Sequence, residues 1–186
     1  MSKRIKFNDN QNDNGVEGWY EALPHADPMV LLFYVEGSNS FLDWVFNFLP
    51  FFKVRIDNKW AQRFYAKGGK WLADFIEKVC YKYRVHTVII HGHSKGGAEA
   101  EIAAYILEDV NGIHARAITY GGARGLNLGE DETRRYIRRG DLVPYLPFWP
   151  FYRHYNNKIK FGRWTWKFWK AHDTDSYEEV MKKEGL

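Results

Sequence analysis

Residues 86–107 read HTVIIHGHSKGGAEAEIAAYIL and decide the fold. The first six residues form a β-branched apolar run that is typical of a buried strand. The alanine-rich residues 97–107 predict a helix. Between them lies a G-x-S-x-G pentapeptide, Gly92 to Gly96. Strand, sharp turn and helix in this order predict a nucleophile elbow, in which the two glycines relieve crowding and the turn pushes the Ser94 hydroxyl out of the sheet.

The composition predicts one globular domain over residues 1–186, because 45% of the residues are hydrophobic and 27% charged. A net charge of +4 does not argue for nucleic acid as a partner. Cys80 is the single cysteine, so an internal disulfide is excluded. Neither a signal peptide nor a bilayer-spanning stretch is evident, which makes the cytoplasm the default location, with export by another route left open. The sequence carries no signal for an oligomeric state.

Strands alternate with helices along the chain, which predicts an α/β fold with a mostly parallel sheet. The apolar run 29–35 predicts a strand buried on both faces. Apolar residues at helical spacing from Trp60 to Tyr83 predict one long helix, with Gly68-Gly69 as a potential break. The remaining expectations are a loose arm over residues 1–18, strands over 115–120 and 134–139, a hairpin or edge strands over 158–169, and a helix over 176–183.

A serine nucleophile needs a histidine to take its proton and a carboxylate to orient that histidine. On α/β-hydrolase sheets the order is serine, acid, histidine, so the search covers residues after Ser94. Among the histidines, His172 is favoured because it lies in a polar loop before the last helix, where a side chain can reach the sheet edge. His154, among aromatic residues, and His114, before a strand, are the alternatives.

The acid is sought by the same reasoning. Asp141 follows a predicted strand directly after Gly140, where a short loop at the sheet edge is expected. The other interpretation is that Asp141 is a turn residue, the commonest role of an aspartate after glycine. The competing carboxylates are Asp109, Asp131, Asp173 and Asp175. For the oxyanion, the amide of Lys95 at the start of the elbow helix is a candidate donor.

Several stretches resemble the class 3 lipase family of the α/β-hydrolase fold, in the family's order. Residues 88–107 resemble its elbow. Three further matches are residues 34–44 (YVEGSNSFLDW) to the oxyanion strand and loop, residues 118–124 (ITYGGAR) to the strand after the elbow helix, and residues 140–147 (GDLVPYLP) to the acid segment. The resemblance implies an α/β-hydrolase domain in which a mostly parallel sheet is flanked by helices.

The same resemblance implies a serine hydrolase that cleaves acyl or lipid esters without a cofactor. It assigns the triad to Ser94, Asp141 and His172, and the oxyanion hole to the amides of Ser38 and Lys95. Three residues depart from the family pattern: Lys95 replaces a leucine, Glu36 an arginine and Ala123 a proline. The departures at Glu36 and Lys95, with an aromatic content of 18%, motivate the alternative hypothesis of a catalytically weak or inactive interaction or membrane-surface module.

Three aromatic-rich stretches, residues 44–52, 145–155 and 164–169, lack a one-sided core pattern. By connectivity each begins or ends near the predicted site, so we expect them to form a rim that contacts a lipid interface. The other interpretation is that these rings pack the core and the edge strands. A metal site is not expected, because His91 and His93 flank the elbow without further ligands at suitable spacing.

Overall fold

The computed structural model describes residues 4–8, 15–23, 29–37, 53–127, 133–147, 152 and 157–184. The strands are β1 (Ile5–Asn8), β2 (Glu17–Leu23), β3 (Val30–Val35), β4 (Lys53–Ile56), β5 (Lys59–Gln62), β6 (Thr87–His93), β7 (His114–Tyr120), β8 (Arg134–Arg138) and β9 (Lys158–Phe161). The helices are α1 (Arg63–Tyr83), α2 (Ser94–Tyr105), α3 (Phe168–His172) and α4 (Thr174–Glu184), with a π-helical turn at Ile106–Val110 and a 3-10 turn at Val143–Tyr145.

A seven-stranded sheet in the order β1-β2-β3-β6-β7-β8-β9 organises the molecule. The β1–β2 and β2–β3 pairs are antiparallel, and every pair from β3 to β9 is parallel. This confirms the predicted α/β fold with a mostly parallel sheet. Because the parallel strands run in one direction, their carboxyl ends share one edge, and the segments after β3, β6, β8 and β9 all leave the sheet there.

The prediction of a loose arm over residues 1–18 is wrong for the described part. Residues 5–8 pair with 17–20 as two antiparallel strands at the edge of the sheet. Phe7 is buried, and its ring lies 5.0 Å from that of Phe75 on α1. The strands were not predicted because most of residues 1–18 are polar, and the burial of Phe7 and Tyr20 holds the strands in place.

Strand β3 is confirmed, but burial on both of its faces is not. Leu31, Phe33 and Val35 are buried, whereas the residues between them are half-buried. Helices α1 and α2 pack against each other and cover the face to which the buried residues point. Right-handed connections between strands that progress in one direction place successive helices on the same face, which explains the asymmetry.

Helix α1 is continuous through Gly68 and Gly69, so no break occurs there. It begins at Arg63 rather than at Trp60, because the Gln62 side chain accepts hydrogen bonds from the amides of Phe64 (2.7 Å) and Tyr65 (3.2 Å). Trp60 instead lies on β5, in a two-stranded hairpin with β4. None of the described helices combines the length and apolar character that crossing a bilayer requires.

The two glycines of α1 allow close packing against α2. A methyl group at Gly69 would lie 2.5 Å from Cγ2 of Ile102. Gly69→Ala is therefore expected to lower the free energy of unfolding by about 1–3 kcal/mol through overpacking. Helix propensity alone predicts the opposite sign, a gain of about 1 kcal/mol.

Chemical denaturation would measure this effect. The exposed neighbour Lys70 provides a control, because Lys70→Ala should change stability by no more than about 0.5 kcal/mol. A Gly69→Ala variant more stable than the parent would show that the helices can separate at no cost, contrary to our account.

Of the two alternatives predicted for residues 158–169, the hairpin is wrong, whereas an edge strand is present over residues 158–161. Residues 158–161 form β9 alone, parallel to β8, and α3 begins at Phe168. The intervening residues contain no described strand. Gly162, at φ 72°, turns the chain away from the sheet directly after β9, in a conformation that favours glycine.

Candidate active site

The turn between β6 and α2 has the predicted elbow geometry. Ser94 has a φ of 56°, which is unusual for a residue with a side chain. A methyl group at Gly92 would lie 2.3 Å from the carbonyl oxygen of Gly96, and one at Gly96 would lie 2.7 Å from that of Val35. Glycine is thus required on both sides of the serine, because the turn packs on itself and on the end of β3.

Ser94, His172 and Asp141 come together at the carboxyl edge of the sheet. The Ser94 Oγ lies 2.7 Å from Nε2 of His172, and Nδ1 of His172 lies 2.9 Å from Oδ2 of Asp141. Asp141 is buried, and the His172 side chain remains 18% exposed. In the consistent arrangement, the serine hydroxyl donates to Nε2 and the Nδ1–H donates to the carboxylate. The prediction that His172 lies in a loop needs correction, since it is the last residue of α3.

Tyr177 is a residue of this cluster that the sequence analysis missed. Its hydroxyl donates to Oδ2 of Asp141 at 2.6 Å and accepts the amide of Arg138 at 3.1 Å. Burial, followed by the charge of Asp141, raises the pKa of Tyr177, so the hydroxyl remains a donor. The amide of Val143 also donates to Oδ1 of Asp141, at 2.9 Å. The carboxylate is therefore held by three donors. In the sequence, Tyr177 lies four residues after Asp173, on the predicted C-terminal helix. No other sequence signal indicated this contact.

His93, the residue before the nucleophile candidate, supports the helix that carries His172. Its Nε2 lies 2.8 Å from the carbonyl oxygen of His172, and its Nδ1 lies 3.1 Å from the hydroxyl of Thr174. Burial lowers the pKa of His93 to about 4, so the ring is neutral at pH 7. A carbonyl can only accept, so the proton lies on Nε2 and Nδ1 accepts from Thr174. His93 thus couples the elbow to both ends of the α3–α4 junction.

Of the two predicted oxyanion residues, the structure describes Lys95 but not Ser38. Ser38 lies outside the described residues. Gly37, immediately before it, contacts the elbow: a methyl group there would lie 3.0 Å from Cβ of Ser94. Glu36 is exposed. The charge reversal at Glu36 is therefore not buried beside the serine. The amide of Lys95 occupies the first turn of α2, as predicted.

The Lys95 side chain is turned into the protein rather than toward the site. Its Nζ lies 3.2 Å from Oε1 of Glu99 and donates to the carbonyl oxygen of Gly15 at 3.2 Å. These two contacts accommodate a lysine at the position where the family has a leucine. Burial raises the pKa of Glu99 to about 8, and the Lys95 ammonium offsets that rise only in part.

This raised pKa predicts a pH-dependent stability. A carboxyl group whose pKa is higher in the folded than in the unfolded protein binds its proton more tightly when folded, so stability falls as the pH rises from about 5 to 8. The loss is at most about 1.4 kcal/mol per pH unit. Glu99→Gln should remove this contribution, so its stability relative to the parent should increase with pH.

Denaturant unfolding of both proteins across this pH range would measure the difference. Glu178→Gln is the matched control, because Glu178 is exposed on α4. A constant difference between Glu99→Gln and the parent from pH 5 to 9 would contradict the raised pKa of Glu99.

The other residues considered from the sequence lie away from the triad cluster or outside the description. His114 is half-exposed and lies 3.2 Å from a carboxylate oxygen of Glu108. His91 stacks on Tyr34, with ring centroids 4.7 Å apart, and its Nδ1 lies 3.0 Å from the Tyr120 hydroxyl. Among the described residues, no three His, Cys, Asp or Glu side chains are grouped to hold a metal. Of the alternative acids from the sequence analysis, Asp109, Asp173 and Asp175 are exposed. The remaining alternatives, the acid Asp131 and the base His154, lie outside the described residues.

A comparison with known protein families gives a match over much of the chain. Residues 32–151 match the model of the family described as lipase (class 3), a range that includes the elbow and Asp141. The chain belongs to the class 3 lipase family. His172 lies beyond the matched range. The search of curated proteins found no match.

Solved lipase structures share the fold of this family member. The Lip2 lipase of Yarrowia lipolytica matches with a TM-score of 0.68 and 18% identity, covering 87% of this chain and 66% of its own. The mono- and diacylglycerol lipase of Aspergillus oryzae matches with a TM-score of 0.70 and 21% identity, covering 84% and 61%. The lipase of Rhizopus microsporus var. chinensis matches with a TM-score of 0.65 and 18% identity, covering 86% and 61%. The chain thus spans less than two-thirds of the length of these three lipases.

Proposed function

We propose that this class 3 lipase family member hydrolyses carboxylic esters of lipids through a serine triad. Ser94 is the nucleophile, His172 the general base and Asp141 the carboxylate that orients His172. The observation that carries the proposal is the continuous hydrogen-bonded series from the Ser94 hydroxyl through His172 to Asp141, at 2.7 and 2.9 Å. Both distances are ordinary hydrogen-bond lengths, as a proton transfer between these groups requires.

In the acylation step, the Ser94 Oγ attacks the ester carbonyl carbon while its proton moves to Nε2 of His172. The carbonyl oxygen becomes negatively charged and accepts the amide of Lys95. The family resemblance assigns the second donor to the amide of Ser38. When the intermediate collapses, the bond to the alcohol oxygen breaks and that oxygen takes the proton from Nε2. The products of this step are the free alcohol and an acyl-enzyme.

In the deacylation step, a water molecule gives its proton to Nε2 of His172 and attacks the acyl carbon. The second intermediate collapses, the bond to the Ser94 Oγ breaks, and Oγ recovers the proton. A carboxylic acid is released, so one ester and one water give one alcohol and one acid. During both steps Asp141 stabilises the imidazolium, and the donors from Tyr177 and Val143 keep its carboxylate in place.

The alternative of an inactive interaction module loses two of its supports. It drew on Glu36 and Lys95 as charges that would disturb the oxyanion site. Glu36 is exposed, and the buried Lys95 ammonium lies 3.2 Å from Oε1 of Glu99 and 3.2 Å from the carbonyl oxygen of Gly15. Neither charge therefore argues against a working oxyanion hole.

Two measurements test the proposal. A fluorophosphonate probe should add covalently to Ser94, as read by intact mass and peptide mapping, and the Ser94→Ala variant should not react. A panel of p-nitrophenyl esters graded by chain length would then identify the acyl preference. A folded protein that neither reacts with the probe nor hydrolyses any ester of the panel would contradict the proposed activity.

A further inference from the structure

We infer that the tryptophan segment, residues 163–170 (RWTWKFWK), binds an anionic lipid bilayer beside the active site. Its three indole rings are the first observation. Trp164, Trp166 and Trp169 are 57%, 77% and 70% exposed. The rings of Trp164 and Trp166 meet edge to face, with centroids 5.7 Å apart. Large apolar side chains clustered in water indicate a contact surface.

The charge around these rings is the second observation. In the sequence from Leu142 to His172 there is no aspartate or glutamate, while six residues are lysine or arginine. Among them, Arg163, Lys167 and Lys170 are exposed within the tryptophan segment, and Lys160 is exposed on β9 before it. The whole chain carries a net charge of only +4, so positive charge is concentrated here.

Indole rings together with cations match the chemistry of an anionic membrane surface. Tryptophan favours the headgroup level of a bilayer, because its ring is apolar and its N–H is polar. Basic side chains gain roughly 1 kcal/mol each near anionic headgroups. A double-stranded nucleic acid would satisfy the cations but would leave the three indole rings without a partner. Single strands can stack on aromatic rings, so single-stranded nucleic acid is included as a competitor in the binding test.

The position of the segment is the third observation. A methyl group at Gly140 would lie 2.4 Å from the carbonyl oxygen of Thr165, so the segment packs directly on the residue before Asp141. Arg139 donates to the carbonyl oxygen of Gly162 at 2.9 Å. The segment then continues into α3, whose last residue is His172. A bilayer bound here would face the triad edge of the sheet.

The predicted aromatic rim is thus supported for one of its three stretches. Residues 44–52 lie outside the described residues. In residues 145–155, Tyr152 is buried and Tyr145 is half-buried, so the described rings of that stretch pack against the protein. The inferred surface is accordingly narrower than the predicted rim.

Binding can be tested independently of catalysis with the Ser94→Ala variant. Sedimentation would use phosphatidylcholine vesicles with and without roughly one-third phosphatidylserine, at low and at high salt. We expect binding to the anionic vesicles at low salt, weaker binding at high salt, and a change in tryptophan emission. Because the delivery of substrate rests on the proposed function but membrane binding does not, a parent protein that binds the vesicles and hydrolyses no ester would refute only the proposed activity.

Two sets of variants locate the surface. Trp166→Ala combined with Trp169→Ala should weaken binding at least about tenfold at any salt concentration. Lys167→Gln combined with Lys170→Gln should weaken it roughly 10- to 30-fold at low salt and little at high salt.

Tyr81 offers a matched control. It is 88% exposed on α1, next to the exposed Lys82 and near the opposite, amino edge of the sheet. Tyr81→Ala should leave binding unchanged. The inference is overturned if anionic vesicles do not bind at low salt, if neutral vesicles bind equally well, if Tyr81→Ala weakens binding as much as the tryptophan variants do, or if single-stranded nucleic acid displaces the vesicles.

Discussion

Replacement of Ser94 by alanine is expected to lower kcat for ester hydrolysis by about 10³-fold or more. The variant lacks the oxygen that forms the acyl-enzyme, so only direct attack by water in the oxyanion site remains. Its KM should change little, because the hydroxyl is not a major contact for the acyl chain. Initial rates with the best ester of the p-nitrophenyl panel would measure both constants.

Stability should not fall with activity in this variant. The Ser94 φ of 56° is retained by the surrounding glycines, and alanine removes only one oxygen from a buried position. Ser176 supplies the control, as the one other serine among the described residues, and Ser176→Ala should keep at least about half of the parent kcat. A Ser94→Ala protein with unchanged turnover would remove the nucleophile from our mechanism.

The second large effect concerns His172 and Asp141. His172→Ala should lower kcat by about 10³-fold or more, because the serine then has no base. Asp141→Asn should cost on the order of 10³- to 10⁴-fold, since an amide does not hold the required Nδ1–H tautomer. Combining either change with Ser94→Ala should add little further loss, because the three side chains act as a unit. Steady-state rates of the single and double variants would show this non-additivity.

Two other histidines provide controls for the loss of activity expected in His172→Ala. His114→Ala should be neutral for kcat, because its ring pairs with Glu108 away from the triad. His154→Ala should also cost little, although it was an alternative base in the sequence analysis. If His154→Ala abolished activity while His172→Ala did not, the assignment of the base would be wrong even though the serine mechanism stood.

Local sequence patterns were sufficient where the determining contacts are local. The elbow was predictable because its glycines lie two residues on either side of Ser94, and the crowding they relieve is within the turn itself. Strands β6 and β7 were predictable from their β-branched and apolar residues. Asp141 was a reasonable candidate because Gly140, at φ 95°, ends β8 in a turn at the sheet edge.

Sequence patterns gave wrong predictions where a contact between residues far apart in the chain determines the local structure. Gly68 and Gly69 suggested a helix break, yet they let α1 approach Ile102 and Glu99 on α2. Residues 5–8 looked like a loose arm, yet Phe7 is buried against Phe75. The alternation over residues 158–169 suggested a hairpin or edge strands, yet only residues 158–161 form an edge strand, paired with β8, and the tryptophans after it are exposed.

The sequence by itself determined the α/β class, the elbow at Ser94 and the order of the candidate triad residues, because hydrophobic periodicity and turn chemistry act over a few neighbouring positions. Only the tertiary structure decided which histidine reaches the serine, that Tyr177 holds Asp141, and that Lys95 turns inward to Glu99. These contacts join residues that are far apart in the chain, except for the Lys95–Glu99 pair, whose burial depends on α1 and Gly15. They exist because parallel strands bring their carboxyl ends to one edge, where the loops that follow them must meet.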